Sequence, residues 1–109
     1  INLKGGGAGT NSVKLKYKFV KTGTDTPKTM EKFYFSWFDI DGSKRSQEMV
    51  TFHGAKKTYV FSDHDLEQTP GEVDGDVVVG EKFGSGDNRG TGADNPRDPM
   101  KLTDLQKSR

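Results

Sequence analysis

The chain has 109 residues, a net charge of +1 and no cysteine, which suits one domain with a single modest core. The lack of cysteine excludes disulfides, thiolate metal sites and cysteine nucleophiles, and a net charge near zero provides no global field to attract nucleic acid or an anionic membrane. Aromatic residues make up 10% of the chain and glycines number 14, so the composition favours an aromatic core joined by many turns.

The first residues predict an arm rather than a folded element. Residues 5–9 are Gly-Gly-Gly-Ala-Gly, whose backbone entropy opposes ordering. We predict a flexible glycine-rich arm over residues 1–12 and a single domain over residues 13–109, which can be a fragment of a longer chain. No apolar run approaches the roughly 20 residues that a transmembrane helix needs, so no transmembrane segment is predicted.

Two stretches show the alternation of β-strands most clearly. In Val13–Lys21, apolar residues alternate with lysines, so one face is buried and the other solvated. In Lys32–Ile40, aromatic residues fall on both faces, which suits a central strand or an outer face that meets a partner. The alternating sets are Val13, Leu15, Tyr17 and Phe19 against Lys14, Lys16 and Lys18, and then Phe33, Phe35 and Trp37 against Tyr34 and Phe38.

Three more strands are predicted further along the chain. Gln47–His53 and Lys57–Ser62 alternate, and the short connector Gly54–Lys56 is consistent with a hairpin between them. Residues 63–76 are acidic and rich in turn formers, and Val77–Phe83 opens with three valines typical of a strand.

The C-terminal part predicts a long loop and one short helix. Residues 84–99 are rich in glycine and aspartate, and Thr103 with Gln106 three positions later fits a capping box. The chain is therefore predicted to be an all-β antiparallel β-sandwich, of jelly-roll or immunoglobulin-like type. Long glycine-rich loops and at most one short C-terminal helix complete that prediction.

A first candidate metal site follows the second predicted strand. Asp39, Asp41 and Glu48 are spaced around Gly42 like part of an EF-hand loop. A full EF-hand is excluded, because Trp37 would occupy the first ligand position and strands rather than helices flank the loop. A hairpin calcium site is the functional interpretation, while turn formation by Asp41 and Gly42 is the favoured structural one.

A second candidate metal site lies in the long loop. Asp94 and Asp98 belong to an oxygen-rich group with Asp87, Asn88 and Asn95. Carboxylate and amide oxygens suit calcium, but the same residues also favour turns by bonding to their own backbone. Calcium is the only cofactor predicted for the chain, and no other cofactor is expected.

Two other polar groups carry a weaker functional interpretation. The sequence Asp63-His64-Asp65 could hold a metal or orient a base, although adjacent loop residues do not easily converge on one ion. The stripe Lys14, Lys16 and Lys18 could meet an anionic partner, but a solvated strand face is the preferred interpretation.

Two short motifs support a resemblance to a known domain. The segments are residues 35–41 and residues 95–99, followed by Leu102, Thr103 and Gln106. Together they resemble a β-sandwich domain of large secreted or surface proteins of microalgae and other protists. The resemblance implies an extracellular or lumenal setting and no assigned activity.

The sequence as a whole predicts a non-catalytic structural or interaction module for protein–protein assembly at a cell surface or in an organelle lumen. Other subunits or repeated copies of the chain are the expected partners, and nucleic acid is not. The outer face of the second predicted strand and the loop of residues 84–99 are predicted to form the contact surface. The predicted partner-binding residues are Tyr34, Phe38, Ile40, Asp87, Asn88 and Arg89.

Three alternatives stay open. The chain could be a small extrinsic accessory subunit of a larger membrane-bound complex, for example a photosynthetic one in an organelle lumen. It could bind carbohydrate, provided that Trp37 or Tyr34 lies on a flat open face. It could also be a hydrolase, because Asp39 and Asp41 are two apart on a predicted strand and so lie on the same side.

Overall fold

The computed structural model describes residues 11–109, and these form parts of two compact units, residues 1–36 and residues 37–109. The predicted arm falls mostly on residues 1–10, outside the described residues. The boundary between the units lies inside the predicted strand Lys32–Ile40. Each unit is described below by itself.

The first unit turns at a short hairpin. The Lys21 amide donates to the Thr26 carbonyl at 2.9 Å, and Val20 pairs with Pro27 in an isolated antiparallel bridge. Gly23 has a φ of 74°, which glycine adopts without strain inside this turn. Pro27 has no amide hydrogen, so the ladder cannot continue through it as a regular pair. Residues 13–21 hold an isolated bridge at Val20 but no strand, and residues 32–40 form no strand either, so the predicted strands Val13–Lys21 and Lys32–Ile40 are wrong as regular strands.

Aromatic side chains nevertheless pair across this unit. Tyr17 and Phe35 have ring centroids 5.0 Å apart, and Phe19 meets Phe33 edge-to-face at 4.7 Å. Such tilted and edge-on contacts are the favoured aromatic geometries. The alternation in the sequence thus places the rings correctly, although side-chain pairing rather than a backbone ladder relates the two segments.

The second unit contains an open antiparallel sheet. Its central strand is β4, which pairs with β1 on one side, while β2 and β3 pair in succession along its other side. A short helix, α1, follows the long loop. The elements are β1 (Met49–Ala55), β2 (Glu67–Thr69), β3 (Glu72–Asp74), β4 (Val77–Gly84) and α1 (Asp104–Lys107).

The prediction of a mainly antiparallel β chain with one short C-terminal helix is confirmed at this level. Among the described residues the named strands form one four-stranded sheet, and the second sheet of a sandwich stays a prediction. The capping box is also confirmed: Thr103 Oγ1 accepts from the Gln106 amide at 3.3 Å, and Gln106 Oε1 accepts from the Thr103 amide at 3.0 Å. No helix in residues 11–109 is long and apolar enough to cross a membrane.

One predicted hairpin and one predicted strand in the middle of the chain are wrong. Gly54 does not connect a hairpin, because it lies within β1 at a φ of 84° where the register shifts against β4. Lys57–Ser62 forms no strand, and the acidic stretch after it supplies β2 and β3 instead. These two strands are exposed throughout, so backbone pairing rather than side-chain burial defines them.

The core of the second unit is small. Phe83 and Ile40 are the buried hydrophobic residues among those described, at 3% and 4% exposure. Phe83 packs edge-on against Phe52 of β1, with ring centroids 5.9 Å apart. Burial of Ile40 corrects the prediction that this side chain faces outward toward a partner. It instead anchors the segment that carries Asp39 and Asp41.

The close approach of Gly71 to β4 generates a stability prediction. A Cβ at Gly71 would lie 2.6 Å from the Val79 carbonyl oxygen and 2.7 Å from the Glu81 amide nitrogen. Gly71→Ala should therefore lower the free energy of unfolding by about 2 kcal/mol, measured by urea denaturation. Gly84→Ala is the control, because its nearest atoms lie at 3.9 Å and it should be close to neutral. Equal effects of the two substitutions would contradict this account of Gly71.

Candidate functional site

Three aspartates from two distant segments converge in the second unit. Asp39, Asp41 and Asp94 can each offer a carboxylate oxygen such that all three atoms lie within 4.8 Å of one another. We call these residues the aspartate cluster. It unites one residue of the predicted loop site with two residues of the predicted hairpin site, and no sequence pattern connects these two sites.

Backbone hydrogen bonds hold the segment carrying two of these aspartates. The Ile40 amide donates to the Arg109 carbonyl at 3.1 Å, and the Glu48 amide donates to the Asp41 carbonyl at 3.2 Å. On the other side, the Gly90 amide donates to the Gly42 carbonyl at 3.0 Å. The segment therefore lies between the C-terminal residues, the start of β1 and the long loop.

Two backbone features are specific to the cluster. Asp39 has a φ of 67° and is the only described non-glycine residue with a positive φ. Aspartate and asparagine tolerate this left-handed region better than most residues, although at some cost. Gly90 leaves room for the Asp41 carboxylate, because a Cβ at this position would collide with that carboxylate where it now lies.

Arg109 neutralises the buried member of the cluster. The Asp94 side chain is fully buried, and its Oδ2 accepts a hydrogen bond from Arg109 Nη1 in an ion pair. Asp94 Oδ1 accepts from the Thr91 amide at 3.1 Å, and Arg109 Nη1 also donates to the Arg89 carbonyl at 3.0 Å. A buried carboxylate with these partners is electrostatically satisfied.

The three carboxyl groups do not titrate alike. Burial alone would raise the pKa of Asp94, but hydrogen bonds from the amides of Thr91 and Asp94, together with Arg109, hold it below its ordinary value. Burial raises the pKa of Asp39, and the negative charge of Asp94 raises it further. Burial also raises the pKa of Asp41, followed by the charges of Asp39 and Asp94. Arg109 opposes both of these increases without cancelling them.

Glu48 lies beside the cluster but not in the three-carboxylate set. Its Oε2 accepts a long hydrogen bond from the Asp41 amide at 3.5 Å. Burial raises the pKa of Glu48, and the charges of Asp41 and Asp39 add to the effect. Asp39 Oδ1 is buried without a hydrogen-bond partner. The cluster therefore has surplus negative charge and an acceptor that no donor satisfies.

The other predicted site residues lie elsewhere. Asp98 Oδ1 accepts from the Met100 amide at 2.9 Å, so its described role is in a turn. Tyr34 is 68% exposed, whereas Phe38 is half-buried. Asp87, Asn88 and Arg89 line a polar cleft that the sequence did not predict.

That cleft has a volume of about 350 Å³ and lies between residues 43–47 and residues 86–89. A second cleft, of about 360 Å³, lies between Phe61, Asp63 and the region of α1. Neither cleft is lined by a member of the aspartate cluster. The cluster is thus a group of charges held between loops rather than the floor of either cleft.

Two contributors to the cluster carry no signal in the sequence. A lone arginine at position 109 has no spacing relation to Asp94. Gly90 is one of many loop glycines, and its closeness to the Asp41 carboxylate follows only from the position of that carboxylate in space.

Comparisons with known proteins found no relative: no family model, no curated protein and no solved structure matches this chain.

The raised pKa of Asp39 generates a prediction about stability and pH. A carboxyl group whose pKa is higher in the folded than in the unfolded state destabilises the fold once pH exceeds that folded pKa. The destabilisation disappears as pH falls below its ordinary value, near 4. Asp39→Asn should therefore be more stable than the wild type at pH 7 in metal-free buffer, with the difference shrinking toward pH 4. Asparagine also tolerates the positive φ, so backbone strain does not confuse the comparison.

Asp94→Asn is the contrasting variant, measured by urea denaturation under the same conditions. It leaves the buried guanidinium of Arg109 with only the 3.9 Å ion pair to the exposed Asp65 and should lose about 3 kcal/mol at pH 7. An Asp39→Asn variant that is also less stable at pH 7 would contradict the repulsion within the cluster.

Proposed function

We propose that this chain is a non-catalytic interaction module, which assembles with other protein subunits or with further copies of itself at a cell surface or in a lumen. The supporting observation is in the first unit, where aromatic side chains pair with each other and still keep about half of their surface exposed. In a protein that works alone, such a row of rings is normally covered.

The exposed fractions are large for aromatic residues. Tyr17 is 59% exposed, Phe19 43% and Phe33 55%. Covering the remaining half of a ring removes about 100 Å² from water, which is worth on the order of 2 kcal/mol before the entropic cost of association. We call Tyr17, Phe19 and Phe33 the aromatic row. Rings of this kind are the anchors on which protein interfaces rely. The second layer of the predicted sandwich would, in this proposal, come from the partner or from a longer chain.

The aromatic row is tested by removing two rings. The double substitution Phe19→Ser with Phe33→Ser should abolish any concentration-dependent increase in mass above 12.0 kDa, measured by analytical ultracentrifugation. The control is Lys16→Ser with Lys18→Ser, which alters the interleaved lysines of the same segment and should leave association intact.

Two outcomes would overturn the role of this row. One is a double variant that associates as strongly as the wild type. The other is a strictly monomeric chain in which solvent labelling shows Phe19 and Phe33 protected, because the rings would then be covered from within.

A second candidate function is calcium binding at the aspartate cluster, where the ion would hold the loops of the interaction module in place. The specific support is the buried Oδ1 of Asp39, which lacks a partner among carboxylates that repel one another. A cation would satisfy that oxygen and offset the charge.

The spacing of the cluster suits calcium. Two oxygens that each lie about 2.4 Å from a calcium ion are at most about 4.8 Å apart, and the three cluster oxygens meet that limit. Glu48 lies near enough to contribute charge. Arg109 already offsets Asp94, so we expect weak binding, with a dissociation constant of about 10⁻⁴ to 10⁻³ M as in extracellular modules.

Calcium binding is tested by titration, following melting temperature and oligomeric mass together. The wild type should melt at a higher temperature with calcium, and a chelator should reverse the change. Asp39→Asn and Asp41→Asn should each lose this response, whereas Asp98→Asn should keep it because Asp98 lies in a separate turn. A response that Asp98→Asn abolishes, or no response in the wild type, would count against the cluster as a calcium site.

A further inference from the structure

We infer that the polar cleft between residues 43–47 and residues 86–89 binds an acidic polysaccharide through its sulfate or carboxylate groups. The inference is independent of the interaction module and of the calcium site proposed above. It uses no residue of the aspartate cluster and none of the aromatic row.

The charges around the cleft favour an anion. Lys44, Arg45 and Arg89 line it, and none of these three cations forms an ion pair within residues 11–109. Asp87 is the one acidic residue of the lining, and the Glu67 side chain lies against Gly86 at its border. Within the lining and this border, three cations face two carboxylates, so the cleft itself carries one net positive charge.

The cleft is preformed by hydrogen bonds on both sides. The Ser43 amide donates to the Ser46 carbonyl at 2.7 Å, and the Asn88 amide donates to the Ser85 carbonyl at 2.8 Å. Gln47 Nε2 joins the two sides by donating to the Gly86 carbonyl at 2.7 Å. Little backbone order would have to be created on binding, which reduces the entropic cost.

Gly42 pairs with residues from both sides of the cleft. It pairs with Gln47 in an antiparallel bridge and with Arg89 in a parallel one. A Cβ at this position would lie 2.9 Å from the Ser46 carbonyl oxygen and 3.0 Å from Ser85 Oγ. Ser46 and Ser85 can approach Gly42 this closely only because glycine has no side chain.

The chemistry of the lining selects among anionic partners. All nine lining residues are polar, charged or glycine, and none is aliphatic or aromatic. Single-stranded nucleic acid needs aromatic stacking, and protein hot spots need apolar anchors, so both fit poorly. An acidic sugar chain needs cations for its anionic groups and hydroxyl or amide partners for its hydroxyls.

Those partners are present in the cleft. Ser43 and Ser46 supply hydroxyl groups, which bond to each other at 2.8 Å and can turn toward a ligand. Asp87 offers an acceptor for a sugar hydroxyl. Arg45 and Arg89 carry guanidinium groups, whose fork of donors matches two oxygens of a sulfate or carboxylate at once.

The test measures binding of the whole chain to dextran sulfate, polygalacturonate and uncharged dextran by isothermal titration calorimetry. Binding to either acidic polymer supports the inference and identifies its anionic group as sulfate or carboxylate. Arg45→Ala with Arg89→Ala should weaken that binding by about tenfold or more. The matched control is Lys16→Ala with Lys18→Ala, which removes the same charge from the first unit and should leave binding unchanged.

Three outcomes would overturn the inference: equal loss in both double variants, binding to neutral dextran as strong as to the acidic polymers, or no binding to either acidic polymer. Equal melting temperatures of the variants and the wild type establish that folding is retained. If the arginine double variant melts lower, Lys44→Ala alone repeats the test, because this turn lysine makes no ion pair in the described structure.

Discussion

The buried contact between Arg109 and Asp94 is the constraint on which the organisation of the second unit depends. The side chains are 10% and 0% exposed, so the pair is removed from water. Such a pair adds little net stability, because desolvation offsets much of the attraction, but either partner alone would be very unfavourable. The pair therefore fixes where the C-terminal residues and the long loop must lie.

The same arginine connects further segments. Its carbonyl accepts from the Ile40 amide, its Nη1 donates to the Arg89 carbonyl, and its Nε lies 3.9 Å from Asp65 Oδ2. With a hydrophobic core as small as Phe83 and Ile40, this polar network supplies order that apolar packing does not. It also explains how loops without regular structure can hold three carboxylates at one place.

Sequence patterns predicted the elements that side-chain chemistry defines. The three valines of β4, the alternation in β1 and the capping box around Thr103 each have a local cause, and each was confirmed. The exposed strands β2 and β3 escaped prediction, because pairing with β4 rather than burial makes them strands. The Pro27 bridge shows the opposite case, where alternation was present and the ladder did not form.

In the candidate sites, too, local sequence predicts the residues but not which of them come together in space. The sequence predicts Asp39, Asp41 and Asp94 as candidate oxygen ligands, but in two separate groups. Their meeting depends on the hydrogen bond between Gly90 and Gly42, two loop glycines that are 48 positions apart and carry no distinctive signature. The polar cleft was not anticipated, since its cations come from two turns that are distant in sequence.

Gly42 has one more consequence, since it directly follows Asp41 and pairs with Gln47 and Arg89, two residues that line the polar cleft. The Asp41 carboxylate, which would bind a cation, is therefore only one residue away from the backbone that pairs with Arg89 of the cleft. If occupancy of either place shifts this backbone strip, the two binding equilibria become linked, and linkage acts equally in both directions. Calcium would then tune the affinity for an acidic polymer, and the polymer would tune the affinity for calcium by the same factor. In that case the backbone at Gly42 would couple the two proposed sites, which would otherwise bind their ligands independently.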